Sequence, residues 1–417
     1  MTLLAIASAG ALLISRADAA DVWRARVAAR LQSLYDSAAR GEAPAPAARA
    51  AGTATSTIAP HIDARGRVQV DVHYDCSLKA PTSALASAGL SVGTSVALPP
   101  LCVVEGWIAP NALPGIATVS GVTRVAVPTY VLRAHPPASN SGPRVPSSPA
   151  PLNRVRPRAR AQAPGTAIDG NGIAIMHADQ FVEQTRTGGA GVTVGVQSTG
   201  VANLSVIQQR GELPASIQVL TPAGQSNPEP GDEGTVLLEE VHAVAPAAGL
   251  AFCGPETFVE YAACLGQLIG AGATILVDDV IFLGQDLMSA DNADTQAVEQ
   301  ILARNPSVAL FTVVGNYDGS YWEGAYTPVS LASQNLPALD CPLASGTQHD
   351  LYVASFDGSP SEQLDVTGAG TFSTAFAWAD PANQNASNFD VYWFSNSDPT
   401  QHGCFPTAGV QANLISP

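Results

Sequence analysis

Between residues 188 and 314 the sequence alternates strictly between short apolar runs and segments with helical apolar spacing, and this alternation constrains the fold more than any other feature. Continuous apolar strands separated by helices are typical of a parallel sheet that is covered by helices on both faces. Predicted strands occupy residues 192–196, 216–220, 249–253, 273–282 and 307–314, and predicted helices occupy residues 233–244, 255–269 and 293–303. We therefore predict an α/β fold with a doubly wound parallel sheet and right-handed crossovers within residues 166–335.

A smaller region with both helical and strand patterns precedes this core. Residues 21–39 have helical spacing, and residues 67–73 alternate with period two, as a half-buried strand does. Helix and strand patterns continue to alternate up to residue 127. We expect a small α+β domain at residues 21–135, joined to the core by a linker at residues 136–165 that is rich in Pro and Arg.

The helical patterns stop after residue 317. Short strand patterns alternate with turn clusters at residues 350–355, 362–366, 370–378 and 388–394. This spacing is typical of an antiparallel β-sandwich, and we predict a partial sandwich at residues 336–417.

The N-terminal residues have the features of a targeting signal. An apolar run of about a dozen residues precedes a small-residue stretch at residues 17–20, as in a secretory signal peptide, and the run is too short to span a bilayer. A buried N-terminal helix is the alternative. We predict a signal peptide at residues 1–20 and a secreted protein, with no other run long and apolar enough to cross a membrane.

The cysteines agree with export. The chain has 6 cysteines and no CxxC pair, so zinc and thioredoxin chemistry have no support, whereas disulfides are common in exported proteins. The sequence alone selects no pairing, and buried free thiols are the alternative. Sequence order, with one pair in each predicted region, gives Cys76–Cys102, Cys253–Cys264 and Cys341–Cys404.

The charge balance excludes one class of partner. The chain has 19 Lys and Arg residues against 35 Asp and Glu residues, a formal net charge of −16. Affinity for nucleic acid depends mainly on neutralising phosphates with basic side chains. We therefore expect no nucleic-acid partner.

Polar residues follow several predicted core strands, at the edge where open parallel sheets bind ligands. They lie at residues 197–200, 231–234 and 314–316. Glu233 is either a functional carboxylate or an ordinary first-turn carboxylate that favours the helix dipole. Asn316 either directs its amide at a developing oxyanion or caps the next turn.

The order of these motifs resembles that of the subtilisin-like serine peptidases, and the bacterial secreted branch with a DEG motif, intermediate between subtilisins and sedolisins, is the most similar. The matching segments are GAGVTVGV at residues 189–196, DEG at 232–234, VHAVAP at 241–246, ILVDDVI at 275–281 and VGN at 314–316. The resemblance implies a subtilisin-like sheet, a propeptide-like role for residues 21–135 and a polypeptide substrate or peptide ligand. It also implies Glu233 in the base position and Asn316 in the oxyanion position, with residues 277–280 beside the substrate channel.

Two positions depart from the family pattern. The first core strand continues as VGVQSTG, so Thr199 stands where the family has its orienting Asp. No GTSxxxP nucleophile segment follows the core. The literal match at residues 93–99, with Ser95, precedes the core, and the looser GTFS at residues 370–373 lies in a predicted strand. A nucleophilic Ser needs an adjacent base and an oxyanion hole, so we assign no nucleophile.

Other polar and aromatic residues have competing interpretations. We predict no cofactor and assign no metal ligand; a calcium site is the alternative, since Ca²⁺ binds several carboxylate and carbonyl oxygens. His242 lies about 13 Å from Glu233 along a helix, at about 1.5 Å per residue, and is expected to be a packing or surface residue. The calcium alternative uses Asp278, Asp279, Asp291 and Asp294, and the aromatic residues Tyr317, Tyr321 and Trp322 line a substrate groove or pack in the core.

These interpretations lead to two functional hypotheses. The first is a secreted serine endopeptidase that uses Ser attack, Glu233 as general base and Asn316 in the oxyanion hole. Because the expected Ser and the orienting Asp are missing, we expect a truncated product or a non-catalytic relative, and no turnover by these 417 residues. The alternative is a pseudopeptidase that binds peptides or surface polymers.

Overall fold

A computed structural model of the chain describes residues 23–41, 60–131, 173, 175–222, 231–282 and 293–313, and short segments at residues 327–330, 352–354, 374–377, 390–394, 402–406 and 412–415. Its main body is a mixed α/β structure with a five-stranded parallel sheet and a separate four-stranded antiparallel sheet. Within these residues, every helix is too short or too polar to cross a membrane.

The antiparallel sheet has the strand order β2-β3-β1-β4. Val70 and Val72 of its strand β1 pack in one core with Leu31 of helix α1 and Leu85 of helix α2. The strands are β1 (Val68–Tyr74), β2 (Ser91–Leu98), β3 (Leu101–Ile108) and β4 (Val122–Ala126), and the helices are α1 (Ala29–Ala39), α2 (Thr82–Ser87) and α3 (Leu113–Ala117), with 3-10 turns at Arg24–Arg26 and Pro110–Ala112. One face of this sheet therefore has a core of its own.

The parallel sheet has the strand order β6-β7-β5-β8-β9. Its strands are β5 (Thr193–Gln197), β6 (Gln218–Leu220), β7 (Gly249–Cys253), β8 (Ile275–Asp278) and β9 (Ala309–Thr312), and the helices are α4 (Ala178–Thr185), α5 (Leu204–Gln209), α6 (Glu233–Val244), α7 (Phe258–Gly270) and α8 (Ala293–Arg304). Phe252 of β7 packs with Leu238 of α6, whereas its neighbour Ala251 packs with Leu268 of α7. Since successive residues of a strand point to opposite faces, helices cover both faces of the sheet.

β1 is buried on both faces, which corrects the half-buried strand that its alternation predicted. The polar residues Gln69 and Asp71 are only 2% and 7% exposed. The face that carries them is covered by the helices of the parallel sheet, because Val103 of β3 shares a core with Phe258 and Leu265 of α7. The antiparallel sheet thus lies between its own helices and those of the parallel sheet.

The segments after β9 form antiparallel strand pairs. β10 (Pro328–Ser330) pairs with β11 (Tyr352–Ala354), β12 (Thr374–Ala377) with β15 (Ala412–Ile415), and β13 (Asp390–Phe394) with β14 (His402–Pro406). A sandwich built from such pairs stays a prediction. The predicted signal peptide, the linker at residues 136–165 and the strand at residues 362–366 lie outside the described residues.

Two of the three expected disulfides lie within the described residues, and both have the pairing that sequence order gave. Cys76–Cys102 joins the residues after β1 to β3, and Cys253–Cys264 joins the end of β7 to α7. The pair Cys341–Cys404 is not tested, since residue 341 lies outside the described part.

Candidate functional site

The strand order of the parallel sheet creates one crevice at its carboxyl edge. β5 is central: the chain goes from β5 to β6 and β7 on one side, and later to β8 and β9 on the other. Strands β5 and β8 are adjacent, and Gln197 at the end of β5 is in register with Asp278 at the end of β8. Open α/β sheets bind ligands where the connections of two adjacent strands diverge in this way. The loops after β5 and β8 therefore flank the candidate site.

Glu233 lies at this edge as the first residue of α6. Its side chain is exposed, and its Oε2 accepts a hydrogen bond from Thr199 Oγ1 at 2.9 Å. Thr199 follows β5 by two residues. The structure thus brings together Glu233 and the residue that stands where the resembling family has its orienting Asp.

Asp232 fixes the start of α6 against the loop after β5. Its Oδ1 accepts hydrogen bonds from the Asn203 backbone N–H and from Thr235 Oγ1, both at 2.7 Å, and its Oδ2 accepts one from Asn203 Nδ2 at 2.8 Å. These donors hold the pKa of Asp232 below its ordinary value, although burial opposes them as the largest single effect. A charged Asp232 therefore positions the adjacent Glu233.

Two glycines permit this close approach. Gly231 has a φ of +145°, and a Cβ at this position would lie 2.6 Å from the Thr199 carbonyl oxygen. The Gly234 N–H donates to the Gly200 carbonyl at 3.0 Å, and a Cβ on Gly234 would overlap the ring of Phe252. The DEG motif therefore combines an anchoring Asp, an exposed Glu and a Gly that leaves no room for a side chain.

A second carboxylate, that of Asp279, belongs to the loop after β8. The Asp279 N–H donates to the Gln197 carbonyl at 3.0 Å, which holds this loop beside β5. Burial raises the pKa of Asp279, and the charges of Glu233 and Asp278 raise it further. The loops that carry Glu233 and Asp279 are thus neighbours at this edge of the sheet. Sequence reasoning did not connect Asp279 with Glu233, because only the strand order makes their loops neighbours.

Asp278 has a structural role beneath this crevice. It is 2% exposed, and its Oδ2 accepts a hydrogen bond from the Tyr261 hydroxyl at 2.8 Å while its Oδ1 accepts one from the Val280 N–H at 3.0 Å. Burial, the largest effect, raises the pKa of Asp278. The described residues contain no group of three or more His, Cys, Asp or Glu side chains that could hold a metal ion. Asp291 lies outside them, so the calcium alternative stays untested.

The other candidate residues lie elsewhere. Ser95 is an exposed residue of β2, in the antiparallel sheet and not at a helix start beside Glu233. His242 lies in the last turn of the unbroken helix α6, as the spacing predicted, and burial lowers its pKa. Asn316, the segment at residues 370–373 and the aromatic residues Tyr317, Tyr321 and Trp322 lie outside the described part of the chain.

An extended segment of the chain itself runs past the loop that carries Asp279. The Phe258 N–H donates to the Thr129 carbonyl at 3.0 Å, and the Val131 N–H donates to the Glu256 carbonyl at 2.9 Å. Val131 also forms an antiparallel bridge with Phe282, at the end of the described part of that loop. Residues 129–131 therefore form an extended segment with isolated β-bridges to the start of α7 and to the residues after β8.

Comparisons with known proteins give little further information. No protein-family model matches the chain, and no curated protein matches it. Among solved structures, a mutant of the epidermin leader peptide processing serine protease EpiP from Staphylococcus aureus matches with a TM-score of 0.35 and 11% sequence identity. The match covers 60% of this chain and 61% of that one, so the chain spans less than two thirds of its length. A likeness this weak carries no argument about activity.

Proposed function

We propose that this chain is a serine-peptidase-like protein of the subtilisin and sedolisin type that binds an extended polypeptide at the carboxyl edge of its parallel sheet, with Glu233 in the base position. The observation that carries the proposal is the hydrogen bond between Thr199 and Glu233 where the connections of β5 and β8 diverge, beside the loop that carries Asp279. This placement rests on strand order and contacts, independently of the motif resemblance.

The backbone beside the site supports a polypeptide as the ligand. Residues 129–131 already occupy an extended path there, with backbone hydrogen bonds to residues 256 and 258. Addition of a strand to exposed backbone groups is a general mode of peptide recognition, in which the main chain supplies affinity. The groups at residues 256 and 258 are buried and paired with residues 129–131, so an external peptide must displace that segment to form the same hydrogen bonds.

Glu233 is suited to the role of a general base. It is exposed to the crevice, so an incoming hydroxyl can reach it, and the Thr199 hydroxyl holds one of its oxygens in place. A carboxylate in this role must lie within hydrogen-bond reach of the proton that it removes. Among the described residues, the hydroxyl bound to Glu233 is that of Thr199, and we assign no nucleophile. We therefore expect these 417 residues to bind peptide without hydrolysing it.

The experiment combines labelling, turnover and binding. The purified chain is treated with a fluorophosphonate probe and assayed on casein, and binding of a fluorescent peptide that copies residues 126–133 is followed by anisotropy against a scrambled control. We expect no labelled Ser, no turnover, and binding of the native-order peptide alone, which saturates only at about millimolar concentration because residues 129–131 compete for the same backbone groups. Labelling of any Ser would overturn the non-hydrolytic part, and equal binding of both peptides would overturn the recognition part.

The second candidate is a protein that only binds peptides, in which Glu233 does not act as a general base. The neutral Thr199 in the orienting position favours it. Glu233→Gln separates the two candidates. A base acts in the transition state, so its loss leaves ground-state peptide affinity unchanged. A tenfold weaker binding by the variant would instead make Glu233 a ligand-binding group.

A further inference from the structure

The contact between the two sheets contains an unusual concentration of carboxyl groups. Asp71 of β1 and Glu105 of β3 come from the antiparallel sheet and are 7% and 2% exposed. Glu256 and Glu260, at the start of α7, come from the other side and are each 4% exposed. Asp294 at the start of α8 acts electrostatically on Asp71. We call Asp71, Glu105, Glu256, Glu260 and Asp294 the interface carboxyls.

Asp71 and Glu105 form the centre of this group. They are directly opposite each other on the antiparallel pair β1–β3. Two ionised carboxylates in such a position repel each other. Asp71 Oδ1 and Glu105 Oε2 are both buried without a hydrogen-bond partner, so ionisation of either side chain leaves a buried carboxylate oxygen without a donor.

The neighbours of this pair satisfy it only in part. Gln69 Nε2 donates to Glu105 Oε1 at 3.1 Å, and the Thr257 side chain also hydrogen-bonds Glu105. His61 is engaged elsewhere in the interface, since its Nδ1 lies 2.9 Å from Glu256 Oε1 and its ring stacks on Tyr130.

The remaining neighbour on β1 brings no positive charge. Burial, with a smaller effect from Arg124, lowers the pKa of His73 to about 4, so His73 is neutral above that pH. The charges that act on Asp71 are those of Asp294 and Glu260, and both are negative when ionised. Among the described residues, the charges that act on the pair are thus negative, and its ionisation meets repulsion.

We propose that the interface carboxyls make the docking of the antiparallel sheet onto α7 dependent on protons, so that the two sheets are held together at acidic pH and loosen as the pH rises. The segment at residues 129–131 belongs to the same contact, and loosening would free the backbone positions that it occupies. The proposal concerns docking alone and does not depend on the proposed function.

The sign follows from the difference in proton binding between the docked and separated states. Burial, the largest effect, raises the pKa of Asp71 from 3.8 to about 7, and burial with the charge of Asp71 raises that of Glu105 well above 4.5. Burial raises the pKa of Asp294 to about 6. The docked state thus binds more protons. The stability that these carboxyls add is complete below about pH 4 and is lost as the pH rises toward about 7, and the lowered pKa of His73 offsets part of it below about pH 6.5. For Asp71 alone, a difference of about three pKa units corresponds to roughly a 10³-fold change in the docking equilibrium.

The test measures amide hydrogen exchange of the full chain by mass spectrometry at about pH 4.5, 6 and 8, with each rate corrected for its intrinsic pH dependence. The reporters are the Val131 and Phe258 amides, whose hydrogen bonds cross the interface. We expect their protection factors to fall between about pH 4.5 and 8 by tenfold or more, up to roughly 10³-fold. Amides of β5 serve as the internal reference, since they lie inside the parallel sheet.

Neutral variants supply the second arm. In Asp71→Asn/Glu105→Gln the central pair is uncharged at every pH, so the fall in protection between about pH 4.5 and 8 should shrink to the smaller part that Asp294 contributes. Glu183→Gln, on the exposed face of α4, removes one carboxylate outside the interface. In this control the protection of the reporter amides should depend on pH as it does in the parent. The proposal would be overturned if the protection factors of the parent did not change with pH. It would also be overturned if those of the double variant fell with pH as much as those of the parent. If the double variant fails to fold, Glu105→Gln alone must still show a smaller fall in the protection of the reporter amides between about pH 4.5 and 8 than the parent.

Discussion

Gly234 of α6 lies directly against the ring of Phe252 on β7, and a Cβ at this position would overlap the Cε2 atom of that ring. Phe252 is fully buried, so it has no free space into which to move. The contact fixes how closely the first turn of α6 approaches the sheet. It therefore determines where the preceding residue, Glu233, is presented.

We expect Gly234→Ala to destabilise the protein by about 1–3 kcal/mol, the usual cost of overpacking a core, and to displace the start of α6. Urea unfolding measures the stability. Gly266→Ala is the matched control, because Gly266 also lies in a helix but a Cβ there meets nothing within 4 Å. The control should gain about 0.5–1 kcal/mol, as Ala replaces Gly in a helix interior. Equal effects of the two substitutions would contradict the contact.

The charge of Glu233 is expected to contribute to the raised pKa of Asp279. Burial and the charges of Glu233 and Asp278 raise the pKa of Asp279, so Glu233→Gln should lower it toward its ordinary value. Carboxyl-carbon NMR follows this titration directly. Glu240→Gln, an exposed substitution on the same helix, should leave the midpoint unchanged. A midpoint that does not move in Glu233→Gln would place the two carboxylates too far apart to share a site.

The hydrogen bond from Tyr261 to Asp278 is expected to affect both stability and its dependence on pH. Tyr261→Phe leaves a buried oxygen of Asp278 without its donor and should cost about 1–3 kcal/mol at neutral pH. The lost donor favoured the ionised form, so the pKa of Asp278, already raised by burial, should rise further. The protonated form of Asp278 contributes stability that is fully present below about pH 4. In the variant this contribution is lost over a wider pH range as the pH rises. Thermal unfolding at several pH values, with Tyr35→Phe as control, tests this. Parallel pH profiles for the variant and the parent would contradict it.

The two disulfides are expected to differ in their reaction with a reductant under native conditions. Cys253 and Cys264 are fully buried, whereas Cys76 is partly exposed. We expect Cys76–Cys102 to be reduced first as the thiol concentration is raised. Trapping with iodoacetamide and peptide mass mapping identify the order, and the non-reduced map tests both pairings. Earlier loss of Cys253–Cys264 would show that burial does not protect it.

The sequence predicted best the elements whose signals are local. α6 begins at Glu233 and ends at Val244, and β7 covers Gly249–Cys253, both as predicted. A helical apolar stripe that stops before Pro246 and a short apolar run after a turn identify these bounds without any knowledge of the fold.

The errors lie where contacts between the sheets override the local pattern. The alternation of β1 predicted a solvent-facing side, yet Gln69 and Asp71 are buried because α7 covers them. β2 was missed, although Thr94, Val96 and Leu98 alternate as one buried face. At the site, Glu233 was found from its motif, but its relation to Asp279 depends on the strand order, which no local signal contains.

The extended segment at residues 129–131 also limits which external peptides can bind. It belongs to the same chain as the surface it covers, so it competes with any external peptide at an effective concentration of about millimolar. An external ligand must exceed this local concentration, scaled by the ratio of the two affinities, before it replaces residues 129–131. The intact chain should therefore bind few peptides that are dilute and should bind those whose local concentration is high.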